Sequence, residues 1–260
     1  MSTASASLPS IPGTITSALT WTFHRLTSDT STTPAAAAKK KKMRPASLPP
    51  ALTSPSSSSF SPPPLAPLQI TGYAPSTNSR LLSRALAEEI RLLLPARLQL
   101  HENWTLAYSL EQHGVSLATL YRRGMKGSFV LVVKDSAGGI FGAFVNEPFH
   151  PSGRYYGTGE CFLWKASILP TRASASGTST PDNTDRIRFK AFPYSGINDY
   201  MILCDNTSLS VGGGDGKYGL WLDDIFEKGV SQSCMTFGNE PLSEEGEKFE
   251  VIGVELWRIG

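Results

Sequence analysis

The fold of this 260-residue chain is indicated by Gly212-Gly213-Gly214-Asp215-Gly216-Lys217-Tyr218-Gly219-Leu220-Trp221-Leu222-Asp223. The nearest enzymatic motif is a phosphate-binding loop, Gly-x-x-x-x-Gly-Lys-Ser/Thr. Val211 occupies the first glycine position and Tyr218 replaces the magnesium-binding hydroxyl, so this loop is excluded. Glycines permit positive φ and close backbone approach. Between apolar segments at 201–204 and 220–222, the run predicts a tight connection between two strands of a β-rich core.

Apolar segments separated by short turn signals fill the second half of the chain. A hairpin is predicted from 128–133 and 140–145, joined by the turn-rich loop 135–139. Further strands are predicted at 160–166, 187–192, 200–204 and 248–257. Strands joined by short turns pair antiparallel, and two facing sheets bury the aromatic residues between them. We therefore predict an α+β domain with a central antiparallel β-sandwich and a few short flanking helices.

Two helices precede and interrupt these strands. Leucine and isoleucine recur at helical spacing over 81–94, with Ser79 as the expected N-cap and Pro95 after the end. A second, short helix is expected at 116–121, capped by Ser116 and stopped by Gly124.

The block 205–242 closely resembles the corresponding block of the TLDc domain, the domain of the oxidation-resistance proteins. The resemblance continues in the same order through Trp104–Tyr108, Gly159–Trp164 and Phe249–Trp257. It implies the same sandwich architecture. One departure is 171–185, a stretch rich in Ser, Thr and Ala that we expect to be a disordered loop insertion.

The first 67 residues differ in composition from the rest. They are almost all Ser, Thr, Ala and Pro, and such a segment cannot bury enough apolar surface to fold. We predict a disordered tail over 1–67 and a TLDc-like domain over 68–260. Six basic residues and one acidic residue give the tail a charge of +5, so the domain carries −3 of the chain's net +2. A basic face for nucleic acid is not indicated.

The tail leaves the cellular location open. Residues 1–28 contain no acid and many Ser and Thr, as transit peptides do, but Arg25 is their only arginine. The cluster Lys39–Arg44 fits a nuclear signal or a solvated charge run. No run of 18 apolar residues exists, so no membrane span is predicted and the chain is expected inside the cell. The locations considered are the mitochondrion, the cytoplasm or vacuole surface, and the nucleus.

Three cysteines are too few and too widely spaced for a disulfide scaffold, and no Cys-x-x-Cys is present. Cys161 and Cys204 lie in apolar runs and are expected to be buried. Cys234 lies in a more polar segment and is the better candidate for a redox thiol. The four histidines show no metal-ligand spacing. We therefore predict no metal, no cofactor and no catalytic residue.

The residues favour a non-catalytic protein-interaction module. The resemblance implies protection against oxidative stress and association with the vacuolar-type proton pump (V-ATPase), whose assembly such proteins modulate. The alternatives are a thiol-based redox enzyme or sensor centred on Cys234, and a mitochondrial or nuclear stress adaptor. The candidate partner-binding residues are Glu160, Asp215, Lys217, Asp223 and Asp224. The candidate structural residues are Gly212, Gly213, Gly214, Gly216, Trp221 and Asn239. The oligomeric state is left open.

Overall fold

The structure, a computed structural model, describes residues 64–169 and 186–260. Most of the predicted tail, residues 1–63, and the predicted loop insertion at 171–185 lie outside the described residues. The helices are α1 (Arg84–Leu93), α2 (Ala96–Gln99), α3 (Leu110–His113) and α4 (Leu117–Arg123). The strands are β1 (Gln69–Thr71), β2 (Asn103–Ser109), β3 (Ser128–Asp135), β4 (Ile140–Val145), β5 (Phe162–Leu169), β6 (Arg186–Pro193), β7 (Ile202–Cys204), β8 (Ser208–Gly214), β9 (Lys217–Asp223), β10 (Lys228–Val230) and β11 (Lys248–Ile259).

The long strand β11 joins two sheets. Its second half pairs with β2 and β3, giving a first sheet in the order β1-β2-β11-β3-β4-β5-β6. Its first residues pair with β10, giving a second sheet in the order β11-β10-β9-β8-β7. Among the described strands only β1 and β2 pair parallel. The predicted α+β fold with an antiparallel sandwich is confirmed.

The main core lies between the two sheets. Leu131, Phe141 and Leu163 of the first sheet and Val211 and Leu222 of the second belong to one fully buried cluster. Alternate residues of each strand point inward, because side chains alternate across a pleated strand. Burying these two inner faces stabilises the domain through the hydrophobic effect.

A second core covers the other face of the first sheet. There Leu86 and Ile90 of α1 form a buried cluster with Trp104, Trp164 and Trp257. Since both faces of β3 are covered, all residues from Phe129 to Val133 are fully buried. Helix α1 thus lies over a sheet face, which the sequence pattern did not indicate.

Two helix starts can be compared with their predicted caps. Ser116 caps α4 as predicted, and its hydroxyl accepts a hydrogen bond from the Thr119 amide. The prediction that Ser79 caps α1 is wrong, because α1 starts at Arg84 and is capped by Ser83. The Ser79 amide is instead bound by the Glu111 carboxylate, which holds the preceding segment in an extended path.

Candidate functional site

The glycine run forms the end of β8 and a two-residue turn. Asp215 and Gly216 have φ values of 53° and 72° and connect β8 to β9. Positive φ at both central positions is the signature of a type I′ hairpin turn. The connection is therefore tight, as predicted, but it consists of Asp215 and Gly216 and not of the three glycines before them. Asp215 and Lys217 are both exposed at this tip.

Gly212 leaves space for a loop that closes this end of the sandwich. A Cβ atom on Gly212 would lie 2.6 Å from the Phe237 ring and 2.9 Å from Cys234 Sγ. A Cβ on Gly219, on the neighbouring strand, would lie 3.0 Å from the same sulfur. The two missing side chains therefore make room for Cys234 and Phe237, which complete the main core.

Buried polar side chains fix this closing loop, residues 231–242. Asn239 is 1% exposed, and its Nδ2 donates to the carbonyls of Gln232 (2.8 Å) and Glu240 (3.0 Å). Ser231 Oγ donates to Gly219 O at 2.6 Å. These hydrogen bonds of Asn239 and Ser231 hold the turn of the closing loop.

Thr236 ties the closing loop to the glycine strand. Its Oγ1 lies 2.9 Å from Gly213 O and accepts from the Gly213 amide at 3.0 Å. The same hydroxyl lies 2.7 Å from Asn198 Oδ1 and 3.3 Å from Tyr200 O. Because Thr236 is fully buried, these contacts fix the loop that carries Tyr200 against the hairpin.

Aromatic and apolar side chains surround the hairpin tip. Tyr155 and Tyr200 stack with ring centroids 4.5 Å apart, and a Cβ on Gly213 would lie 2.8 Å from the Tyr155 hydroxyl. Ile197, Tyr200 and Met235 are 61%, 44% and 39% exposed. Met235 lies beside Gly214, where an added Cβ would be 3.1 Å from the Met235 Cβ. We call the surface formed by Tyr155, Ile197, Tyr200 and Met235 the tyrosine face.

The structure separates the predicted partner-binding residues. Asp215 and Lys217 lie at the hairpin tip beside the tyrosine face, whereas Asp223 and Asp224 follow β9 to its opposite end. Asp223 Oδ1 accepts from the amides of Glu227 (2.9 Å) and Lys228, so it holds the next turn. Asp224 is exposed there.

Glu160 and Trp221 lie apart from the hairpin tip. Both Glu160 oxygens bind the Arg97 guanidinium, and this hydrogen-bonded pair lowers the pKa of the Glu160 carboxyl. Trp221 is half-buried opposite Val230 of β10. Neither side chain belongs to the tyrosine face.

A protein-family model for the TLDc domain matches residues 75–260. The chain belongs to the TLDc family. Among its relatives, "Oxidation resistance protein 1" of Podospora anserina is 51% identical over 227 residues, which cover 76% of this chain and 66% of that protein. The protein of the same name in Gibberella zeae is 50% identical, covering 76% of this chain and 72% of its own length. That of Saccharomyces cerevisiae is 44% identical, covering 75% and 79%.

This TLDc domain keeps its cysteines in apolar surroundings. Cys161, Cys204 and Cys234 are all buried and unpaired in the part of the chain that the structure describes. Burial raises the pKa of the Cys161 thiol to about 11 and raises that of the other two. These environments disfavour the thiolate, which is the nucleophilic form of a cysteine. Cys234 has in addition a packing role against Gly212 and Gly219.

The described part of the TLDc domain contains neither a grouped metal-ligand set nor a membrane-spanning helix. Within residues 64–169 and 186–260, no three His, Cys, Asp or Glu side chains are grouped so that they could hold a metal ion. Over the same residues, no helix is long and apolar enough to cross a membrane.

The sequence patterns did not single out Glu255. This carboxylate is 1% exposed in the middle of β11 and accepts hydrogen bonds from Tyr73 Oη, the amides of Leu81 and Leu82, and Trp257 Nε1. No cation pairs with it among the described residues. An acid within the apolar run Val251–Trp257 was the available signal. These four hydrogen bonds indicate that Glu255 holds the segment before α1 against the first sheet.

Proposed function

We propose that this TLDc domain is a non-catalytic interaction module that protects against oxidative stress by binding the vacuolar-type proton pump and modulating its assembly. The observation that carries the proposal is the tyrosine face, where partly or fully exposed aromatic and apolar side chains from three loops surround the tip of the β8–β9 hairpin. Interface hot spots are enriched in tyrosine, and aromatic residues and methionine are common in interface cores. The name of the relatives, "Oxidation resistance protein 1", supports the stress role.

A binding module of this kind acts through differential affinity. If it binds one assembly state of the pump more tightly than another, it shifts the equilibrium toward that state by the difference. Asp215 and Lys217 stand at the rim of the tyrosine face, where charges mainly set association rate and specificity. We propose them as rim contacts, and Tyr200 and Met235 as the apolar centre.

Affinity isolation of the tagged full chain from cells under mild oxidant tests the partner. Recovery of pump subunits is the expected result. Recovery of mitochondrial or nuclear proteins in their place would overturn the pump assignment and favour the stress adaptor, and the same preparation would report the compartment.

The tyrosine face can be tested with a double substitution. Tyr200→Ala with Met235→Ala should weaken association with the isolated partner by about tenfold or more, because central apolar contacts dominate binding energy. A matched control is Leu100→Ala with Ile252→Ala, two side chains that are also exposed but lie on α2's C-cap and on β11. Titration calorimetry should show weakened binding for the first pair alone. Thermal melts should show that both variants are folded. Equal affinities for the two variants would show that the partner does not bind at the tyrosine face.

The absence of thiol catalysis is a second prediction. The purified full chain should not turn over hydrogen peroxide, with or without a thiol reductant, because burial disfavours the Cys234 thiolate. Cys234→Ser should leave stress protection largely intact in a cell lacking the native protein. Several turnovers per molecule, abolished by Cys234→Ser, would instead establish the redox enzyme.

A further inference from the structure

A second surface of the domain carries positive charge without neutralisation. Arg122 and Arg123 end α4, Lys126 lies in the following turn, and Arg258 lies near the end of β11; all four are exposed. None of them forms an ion pair with a described residue. This concentration is unexpected in a domain whose residues 68–260 carry a net charge of −3. We call this surface the basic groove.

The basic groove contains a cavity of about 320 Å³. Its lining is Thr105, Leu106, Ala107, Arg123 and Arg258. The turn that carries Lys126 runs beside the Arg258 side chain, since a Cβ on the adjacent Gly127 would be 3.4 Å from Arg258 Cγ.

The wall of the groove is shaped by a β-bulge. Strand β2 changes register against β11 so that Leu106 and Tyr108 pair with consecutive residues and Ala107 is left over. Bulges often re-aim side chains next to functional sites. The Ala107 carbonyl accepts a hydrogen bond of 2.6 Å from Arg123 Nε, which holds that guanidinium against the wall of the groove. Beyond Thr105, β1 no longer covers this edge of β2.

Two neighbouring residues define what the groove can accept. His113 lies nearby. Its burial, and to a lesser extent the positive charge of Arg123, lower the pKa of its imidazole, so the protonated form of His113 is disfavoured. Met125, between Arg123 and Lys126, is 66% exposed and offers an apolar contact. The surroundings therefore combine positive charge, main-chain groups and one apolar side chain.

We propose that the basic groove binds an extended acidic segment of a protein partner. Guanidinium groups bind carboxylates through two parallel hydrogen bonds, and Arg258 and Arg123 line the cavity from two different elements. A cavity of this size admits single side chains, which favours a peptide over a flat membrane surface. Two arginines lining a cavity, with two further cations on the neighbouring segment, do not form the extended stripe that a nucleic acid needs. The inference rests on the proposed function in one respect, that the partner is a protein.

The probe for this test is a synthetic decapeptide of Asp and Glu flanking one Leu, with its Asn and Gln counterpart as the uncharged control. Titration into the ¹⁵N-labelled full chain should shift the amide resonances of residues 105–107, 122–126 and 258. Binding should weaken as salt concentration rises, because exposed charges are screened. The resolved resonances also separate this groove from Lys39–Lys42 of the tail, which could attract the same peptide.

Charge reversal supplies the decisive comparison. Lys126→Glu with Arg258→Glu should weaken binding of the peptide by about tenfold or more, because the charge of two of the four basic residues is reversed. Neither side chain donates a hydrogen bond within the described residues, so folding should be preserved. The matched control, Lys228→Glu with Lys248→Glu, makes the same charge change at exposed positions of β10 and β11 and should bind as the parent does.

Several outcomes would overturn the inference: equal loss in the control pair, resonance shifts confined to the tail, or equal binding of the uncharged peptide. Binding of anionic phosphatidylserine vesicles but not of the peptide would assign the groove to a membrane. The peptide titration uses no pump subunit, so a failure of the pump assignment and a failure of the groove give different results.

Discussion

Glu255→Ala is expected to lower the free energy of unfolding by about 4 kcal/mol, because several buried donors lose their acceptor and each costs about 1–3 kcal/mol. The donors are Tyr73 Oη, the Leu81 and Leu82 amides and Trp257 Nε1. Relief of the carboxylate's own desolvation offsets part of this sum. Since small domains are stable by only about 5–15 kcal/mol, urea denaturation should show a protein close to its unfolding limit.

Glu111 provides a matched control for this substitution. Its carboxylate also accepts two amides of the same segment, from Asn78 (2.8 Å) and Ser79 (3.0 Å), but it is exposed to water. Glu111→Ala should cost no more than about 1 kcal/mol, because water replaces the lost acceptor. If the two variants lost similar stability, burial of the acceptor would not be the cause, and the role assigned to Glu255 would fail.

The same residue predicts a pH dependence. Burial raises the pKa of the Glu255 carboxyl in the folded state, and hydrogen bonds from Leu81, Trp257 and Tyr73 oppose this rise only in part. A raised folded-state pKa contributes stability that is complete below the unfolded pKa and is lost as the pH rises through the folded value. Glu255→Gln should remove this pH-dependent contribution, because glutamine does not titrate. The difference in the free energy of unfolding between parent and variant should therefore change as the pH rises from the unfolded to the folded pKa of the Glu255 carboxyl.

Much of the fold could be predicted because it depends on local patterns. The hairpin of β3 and β4 was predicted from apolar runs around a loop rich in turn residues, and the start of α4 from Ser116 before a short periodic segment. The position of α1 could not be predicted, because packing over a sheet face depends on contacts with residues such as Trp164 and Trp257 that are distant in sequence. The cap of α1 was misplaced at Ser79 for a similar reason, since the distant Glu111 binds that amide.

The candidate site was harder to predict than the fold. Asp215 and Lys217 lie at an exposed turn, whose signal is local in sequence, whereas Asp223 and Asp224 lie at the opposite end of β9. Tyr155, Tyr200 and Met235 were not selected, since three separate loops bring them together. Sequence spacing carries no information on such meetings, and the same limitation applied to Glu255 and its donors.

Gly213 differs from the two glycines beside it in what constrains it. Gly212 and Gly214 have φ values of 80° and 131°, whereas Gly213 does not have a positive φ. Gly213 is constrained by space: an added Cβ would lie 2.8 Å from Tyr155 Oη. Conformational strain and lack of room coincide most severely at Gly212, where the added Cβ would lie 2.6 Å from the Phe237 ring. They coincide less tightly at Gly214, where the added Cβ would lie 3.1 Å from Asn198 Nδ2 and from Met235 Cβ.

Gly212→Val is expected to abolish folding, as judged by loss of soluble expression and of a cooperative thermal transition. A β-branched residue at φ 80° is strained by about 2 kcal/mol, and forcing extra atoms into a packed core costs about 1–3 kcal/mol more. The contacts are severe, since the new Cβ alone would lie 2.6 Å from the Phe237 ring and 2.9 Å from Cys234 Sγ. Together these terms come to about 3–5 kcal/mol, which reaches the lower end of the roughly 5–15 kcal/mol by which such domains are stable.

Gly138 separates the two contributions. Its φ of 91° imposes the same kind of strain, but no atom lies within 4 Å of its added Cβ. Gly138→Val should therefore melt at a reduced temperature but remain folded. The milder Gly212→Ala should regain part of its lost stability when combined with Cys234→Ala, because removing the sulfur relieves one of the two contacts and neighbouring sites couple by about 0.5–3 kcal/mol. Two results would contradict this account: Gly138→Val as damaging as Gly212→Val, or no coupling in the double variant. Backbone strain alone would then explain the requirement for Gly212. The packing of the closing loop against Gly212 and Gly219 would then not contribute to stability.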